Sequence, residues 1–489
     1  MIGYGFTFLH FEKGGYQVKF GEYLEECIKK RGIPVGTVAS QIGINRGNLY
    51  SVFSGKRKIS EDQVSRIVSL LALSNTETQK LYNKYFELEY GKNEFKRVRC
   101  IFDSISKMPD YFEAEKPAVG PVSDFKNLSG GQDIVSAANF IIENSKSEIT
   151  TNYSCTLEKL DELFYYFVKK EGFQFRHLVG LPFGTKGTQD IENLFSCVRF
   201  MQERCYPYLV EVPSFRYNTL VYPYFIISEK YVMVFDEKNG TVIESESFAE
   251  TFLSKINQMY LEKAERTGEV PGDILEIKDV YTKSFLSDSA YRYELGPYPC
   301  VAPYGDKQFF SDIAVDSMPE DLKNELVNVC YDHYQRMLAS SALVHILSYD
   351  AVDKLIERRV VDELPGDYCK LMNEEQVLHF LLILLEKIKQ DSVYILDDSR
   401  LHISDNLFIE INPLYCTLIG TDVSVENFMV PQTFHAIIRN QSLISSFKNF
   451  FHYLIRSKVV LPKTVAVGHL ENRIAQVKAK VENNKNKPL

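Results

Sequence analysis

Residues 41–60 read QIGINRGNLYSVFSGKRKIS: two glycines, small apolar residues alternating with polar ones, then the cations Lys56, Arg57 and Lys58. Three adjacent cations grip phosphate when a rigid element aims them at it, and are a solvated surface run otherwise. A second stretch, GLPFGTKGT at 180–188, follows a strand-like run and precedes a helix at Asp190. There Gly184, Thr185, Lys186, Gly187 and Thr188 could bind an anion through backbone N–H groups and the lysine at a helix N-terminus. The phosphate-loop spacing G-x-x-x-x-G-K-[ST] is not met, because Gly187 follows Lys186, so a plain turn competes with that reading. A Pro/Tyr loop, GPYPCVAPYG at 296–305, either lines a pocket or simply packs. Nine histidines are isolated, and nine cysteines form no C-x-x-C pair or other zinc-ligand spacing. With no nucleophile–base pair and no metal spacing, the expectation is no catalytic residue, no cofactor and no metal.

Positioning any of these residues falls to a chain of 489 residues, long enough for two to four domains and for large cores without disulfides. It is 45% hydrophobic and 25% charged, as soluble globular proteins are. Its longest apolar run, Val377–Leu385, is interrupted by His379 and is too short to span a bilayer. The start lacks the basic and apolar regions of a signal peptide, and dispersed cysteines suit a reducing compartment, so a cytoplasmic location is expected. The net charge of −9 is unevenly spread: Lys19–Cys100 carries 15 Lys/Arg against 9 Asp/Glu, and the chain beyond carries a net −15. A basic head on an acidic body is the footprint expected when only the head meets nucleic acid.

The head reads as five short helices. The first spans Lys19–Arg31, with Phe20, Leu24, Cys27 and Ile28 on one face and Gly32 ending it. Pro34 suits the first turn of a second helix that reaches Ile42, and Gly43 suits a left-handed turn. Asn45 caps a third helix running to about Phe53, which Gly55 stops. Ser60-x-x-Gln63 and Ser74-x-x-Glu77 are capping boxes. They open a fourth helix, lined by Val64, Ile67 and Leu71, and a fifth, lined by Leu81, Tyr85 and Leu88 and ended by Gly91.

Val38, Ala39, Ile42, Gly43, Ile44, Leu49 and Val52 carry a resemblance to the helix-turn-helix of Cro/C1-type (phage repressor-like) transcriptional regulators. It covers about Lys19–Leu73, with the fifth helix a common extension. Val35-Gly36 departs from the family, which often has a polar, phosphate-contacting residue there. Of the outward residues Asn45, Arg46, Gly47, Asn48, Tyr50 and Ser51, the resemblance implies that Arg46, Asn48 and Tyr50 reach the major groove. Arginine can pair with guanine and asparagine with adenine. Lys56, Arg57 and Lys58 would then hold phosphates without reading sequence. Double-stranded DNA and a homodimeric state are the partners implied.

The rest reads as an α/β body, giving an α+β multidomain chain: an extended segment at 1–18, the all-α head at 19–100, and a linker at 101–133. Two α/β domains at 134–270 and 271–470 and a polar tail at 471–489 follow. In the body, EITTNY, FQFRHLVGL, YLVEV, YPYFIIS and YVMVFDE are strand-like and alternate with helical patterns. Strand, strand, helix recurs from Leu407 to Leu454, which suggests two related halves. This tandem pattern resembles phospholipase-D-like folds, whose H-x-K signature is missing. Val377–Ile388 reads as a buried core helix, with a dimer interface as the alternative. The functional expectation is a DNA-binding regulator whose body senses an unknown small molecule or peptide, or mediates oligomerisation. The alternatives are an enzyme or defence-type effector carrying a DNA-binding head, and a head that binds protein.

Overall fold

The computed structural model describes residues 19–485 except 109–115, 123, 147, 153–157, 169–173, 183–186, 203–207, 213–221, 261–264, 267, 270–290, 339–342, 362–368 and 422–432. The expected segment at 1–18 lies outside the described residues. The chain divides into two units between Phe95 and Lys96.

The first unit holds α1 (Phe20–Arg31), α2 (Val35–Gln41), α3 (Arg46–Phe53), α4 (Glu61–Leu70) and α5 (Asn75–Tyr90). Phe20, Leu24, Cys27 and Ile28 are buried, as are Val38, Ala39, Ile42, Leu49, Val52, Val64, Ile67, Leu71, Leu81 and Tyr85. Leu88 is 39% exposed; Tyr82 and Phe86 complete the inner face of α5 in its place. Glycine at position 21 is a steric requirement, since a Cβ there would lie 2.3 Å from the Val52 carbonyl oxygen of α3. Arg31 closes the bundle: its Nε donates to Leu71 O and its Nη2 lies 2.6 Å from Glu77 Oε2.

The expected boundary near Cys100 is corrected, because α6 (Lys92–Ser106) runs through it and belongs to the second unit from Lys96 onward. The 101–133 segment is not all linker either: α6 covers its start, and β1 (Leu128–Ser129) and the first turn of α7 (Gly131–Glu143) cover its end. The first half of the body continues with β2 (Glu148–Thr151), α8 (Glu158–Val168), β3 (Gln174–Pro182), α9 (Gln189–Gln202) and β4 (Tyr208–Val212). A meander follows, β5 (Tyr224–Ile227), β6 (Tyr231–Phe235) and β7 (Asn239–Glu244), then α10 (Glu246–Met259) and the short β8 (Glu265–Arg266) and β9 (Gly268–Glu269). The second half has β10 (Arg292–Gly296), α11 (Lys307–Ile313), α12 (Glu320–Leu338), β11 (Leu343–Leu347), α13 (Ala351–Arg358), α14 (Glu374–Lys389) and β12 (Val393–Ile395). It ends with β13 (Leu407–Ile411), β14 (Cys416–Thr421), β15 (Thr433–Ile438), α15 (Gln441–Arg456) and α16 (Lys463–Lys485).

The strands build two mixed sheets of one plan. The first has the order β1-β7-β6-β5-β2-β3-β4-β8 and the second β12-β11-β10-β13-β14-β15-β9. In each, three parallel strands (β2–β4, β10–β12) adjoin an antiparallel meander, whose last strand takes a short earlier strand at its edge. Thr151 is paired across the ladder with His177 and Ile226, and Glu294 with His345 and Glu410. The residue after each histidine, Leu178 or Ile346, pairs with a tyrosine, Tyr208 or Tyr394. The edge strand β9 shows that the second sheet begins before 271, inside the segment read as the first α/β domain.

Alternation of side chains gives the first sheet two apolar faces. Tyr224, Ile226, Met233 and Phe235 meet α7 and α8, while Phe225, Ile227 and Val232 meet α10. In the second half, α14 is a core helix, burying Val377, Phe380, Leu381, Leu384, Leu385 and Ile388. Much of what covers it is α16, which corrects the polar tail at 471–489. Ala466, Leu470, Ile474, Val477 and Val481 recur every three or four residues, so a helix polar in composition still has an apolar stripe that buries in the core.

Arg97 of α6 holds the halves together. Its side chain and that of Asp190 are 3% and 1% exposed. Nη1 and Nη2 donate to the two Asp190 oxygens at 2.8 and 2.7 Å, Nη1 also to Gly187 O at 2.6 Å, and Nε to Ser446 Oγ at 2.7 Å. Asp190 and Gly187 belong to the first half and Ser446 to the second. Removing one member of a buried pair strands the other charge. Arg97→Ala is therefore expected to cost the body about 3–5 kcal/mol in urea unfolding of the full chain, and Arg97→Met with Asp190→Leu to recover most of it. A loss of less than about 1 kcal/mol for Arg97→Ala would show that Asp190 does not depend on this partner.

Candidate nucleic-acid interface

Local chemistry fixes α3 at both ends. Gly43, at φ 75°, closes α2: its N–H donates to Ser40 O and that of Ile44 to Ala39 O, the paired bonds of a glycine C-cap. Two residues on, the Asn45 side chain accepts from Asn48 N at 2.7 Å and caps α3. Gly55, at φ 73°, repeats the glycine device at the other end, with its N–H on Val52 O and that of Lys56 on Ser51 O at 2.8 Å. Arg57 N–H also donates to Ser51 O. The backbone of the basic run is thus tied to the last turn of α3. The Gln63 amide donates to Ile42 O, anchoring the start of α4 under the α2–α3 turn.

The candidate residues divide by what their side chains already do. Asn45 is engaged as the cap, and Ser51 Oγ donates back to Gly47 O. Arg46 is exposed, its Nη2 3.2 Å from the Tyr50 hydroxyl and its guanidinium carbon 5.5 Å from the Tyr50 ring. Tyr50 is 44% exposed and stands edge-on to Phe53. Asn48 is half-buried, and Lys56, Arg57 and Lys58 are fully on the surface. Arg46 and Tyr50 on α3 and the three cations that follow the helix are therefore all exposed. Leu49 and Val52, buried on the opposite face, anchor the helix.

In the body, Gly184, Thr185 and Lys186 lie outside the described residues. Gly187 carries its carbonyl to Arg97, and Thr188 Oγ1 donates to Glu192. The first turn of α9 already has a carboxylate on it, since Asp190 Oδ1 accepts from Ile191 N–H.

A polar cluster in the second sheet was not singled out from the sequence. Glu294, Cys300 and His345 are all buried, with one ligand atom from each within 4.8 Å of the others, and they are the group among the described residues that could hold a metal. No local spacing marks them: strand pairing brings Glu294 to His345, and the Pro/Tyr loop delivers Cys300.

No protein-family model matches the chain, and no curated protein matches it. Among solved structures it is similar to the phosphatidylserine synthase of Haemophilus influenzae Rd KW20, with 11% identity, 78% of this chain and 98% of that chain covered, and a TM-score of 0.24. It is also similar to TrmBL2, an archaeal chromatin protein with a novel mode of DNA binding, with 13% identity, 50% and 99% covered, and a TM-score of 0.23. Both scores are too low to assign a fold or a function.

The unit that carries α3 has an acid-sensitive lock. Hydrogen bonds from the Ser74 backbone, then from Lys30 and Arg31, hold the Glu77 carboxyl down to about 2. Its unfolded value is about 4.3, so its stabilisation is complete above that pH and lost as pH falls toward 2. Thermal unfolding of the full chain between about pH 5 and 2.5 should show Glu77→Gln with a flatter acid dependence of the first unit than the parent. Parallel curves would assign the acid sensitivity to other groups.

Proposed function

We propose that the chain is a sequence-specific DNA-binding transcriptional regulator, with α2 and α3 acting as a helix-turn-helix of the Cro/C1 type. The reading is carried by one observation: α3 is anchored by Leu49 and Val52 while Arg46, Asn48 and Tyr50 face outward, directly beside Lys56, Arg57 and Lys58. In this reading α3 enters the major groove. Arg46 and Asn48 read base edges, Tyr50 makes apolar contact, and the basic run sits on phosphates. Asn45 and Ser51 support the helix rather than read bases, because their side chains are already bonded within it.

The body then senses an unknown small molecule or peptide, or brings two chains together as a homodimer. It acts without catalysis. The ends of its parallel strands are where ligands lodge in open α/β sheets. A ligand controls DNA binding only if it favours one arrangement of paired heads over another, by a few kcal/mol for a near-complete switch.

Affinity of the full chain for a selected DNA site should fall steeply with salt, with a log–log slope of roughly −5 to −9 for six to ten phosphate contacts. Lys56→Ala and Arg57→Ala should weaken all sequences about equally, each reducing the slope by about 1. Arg46→Ala and Asn48→Ala should relax preference at one or two base pairs, by about 1–3 kcal/mol. A selected motif unchanged by Arg46→Ala would show that α3 is not the reading helix, and a flat salt response would end the DNA-binding reading. Turnover of a metabolite by the full chain would favour the effector-enzyme alternative.

A further inference from the structure

Three residues meet in the second sheet: Glu294 on β10, His345 on β11, and Cys300 in the loop that leaves β10. Glu294 and His345 are cross-strand partners, with His345 Nδ1 2.8 Å from Glu294 Oε2. The Cys300 thiol is hydrogen-bonded to the Glu294 carboxylate. The loop carrying Cys300 is held at the end of β11, where Ser348 donates its N–H to Gly296 O and its hydroxyl to Pro297 O. The cluster is dry: His345 and Glu294 side chains are 3% exposed, and Cys300 is 7% exposed. His345 Nε2 is buried with no hydrogen-bond partner among the described residues. Such a set is costly to bury unless its groups are paired with one another or coordinate a metal.

The fold does not demand these residues. The first sheet, of similar strand order, pairs its own histidine, His177, with the neutral Thr151, which faces Ile226 on its other side. In the second sheet the histidine is paired instead with an acid, and a thiol lies beside them.

We propose that Glu294, Cys300 and His345 form a three-ligand site for a divalent metal ion of the zinc type. The donor set of one carboxylate oxygen, one thiolate and one imidazole suits a borderline cation better than calcium or magnesium, which prefer oxygen alone. Around zinc, ligand atoms lie about 3.4 Å apart, so donors already within 4.8 Å of one another need only small side-chain shifts. Charge also balances. The Cys300 S–H proton leaves to solvent as the metal–sulfur bond forms, and the thiolate and Glu294 carboxylate together match the dication. Arg292, the neighbouring cation, is shared between Glu294, 3.3 Å from its Nε, and Glu410, Nη2 to Oε1 2.5 Å, so this second cation is matched by the second carboxylate. Glu410 is held in turn by the Tyr415 hydroxyl at 3.2 Å. Three protein ligands leave one tetrahedral position open, the arrangement of zinc sites that bind a further ligand.

The test is cobalt titration of the purified full chain after chelator treatment, with zinc content measured on the untreated protein. One equivalent of Co²⁺, a thiolate-to-cobalt charge-transfer band, and displacement by one equivalent of Zn²⁺ are expected. The band should vanish in Cys300→Ser and persist in Cys27→Ser, whose thiol lies in the other unit. His345→Gln, kept only if its circular dichroism matches the parent, should weaken binding at least tenfold. Failure of the folded parent chain to bind Co²⁺ stoichiometrically would overturn the site and leave a buried ion pair in its place. So would a band that survives Cys300→Ser. Neither result bears on DNA binding by the first unit.

Discussion

One guanidinium organises the body. Arg97 sits in an acidic unit, buried, and donates to oxygens from different parts of the chain: the Asp190 carboxylate, the Gly187 carbonyl and the Ser446 hydroxyl. Arginine suits this place because its planar fork offers donors in fixed directions, so several bonds form for little further loss of freedom. Its desolvation is offset only because the fork is satisfied from two sides at once. Asp190 opens α9 in the first half and Ser446 lies on α15 in the second, so their relative placement is set through α6. Apolar contacts follow the same line: Phe195 of α9 meets Phe447 of α15, and Arg99 of α6 lies over Phe102 and donates to the Tyr453 hydroxyl. A helix that looks like the end of the basic head by charge is therefore part of the body by its bonds.

Where the sequence was legible, the causes were local. Asn45, Ser60 and Ser74 cap helices with atoms three residues away, and Gly32, Gly43 and Gly55 adopt the positive φ that their helix ends require. The core faces of α1 to α4 follow from a 3.6-residue period. Body strands such as β3 and β5 were readable for the same reason, being runs of β-branched and aromatic residues. What was not legible depends on distant partners. Leu88 lies on the apolar side of α5 by period, yet Phe86 and Tyr82 take the core. The stripe on α16 is diluted by lysine and asparagine, so only its docking on α14 reveals it. Arg97 and Asp190 are 93 residues apart, and no local pattern pairs them.

The two sheets explain why chemistry is hard to find in the body by motif. A duplicated plan needs the same apolar alternation twice, and that constraint dominates the pattern of both halves. Within it, a ladder position is free to change when its neighbours change with it. Thr151 facing Ile226 is a neutral pair, with the Thr151 hydroxyl donating to Phe225 O. Glu294 facing Glu410 places two carboxylates side by side in a dry sheet, which would repel unless cations lie between them. Arg292 supplies one cation, 3.3 Å from Glu294 and 2.5 Å from Glu410. It is shared by both acids, and its closer bond is to Glu410, so Glu294 has charge left for the imidazole and thiol that flank it. Glu294, between an acid on one neighbouring strand and an imidazole on the other, thus gathers in the second sheet a charge that the Thr151 ladder of the first does not carry.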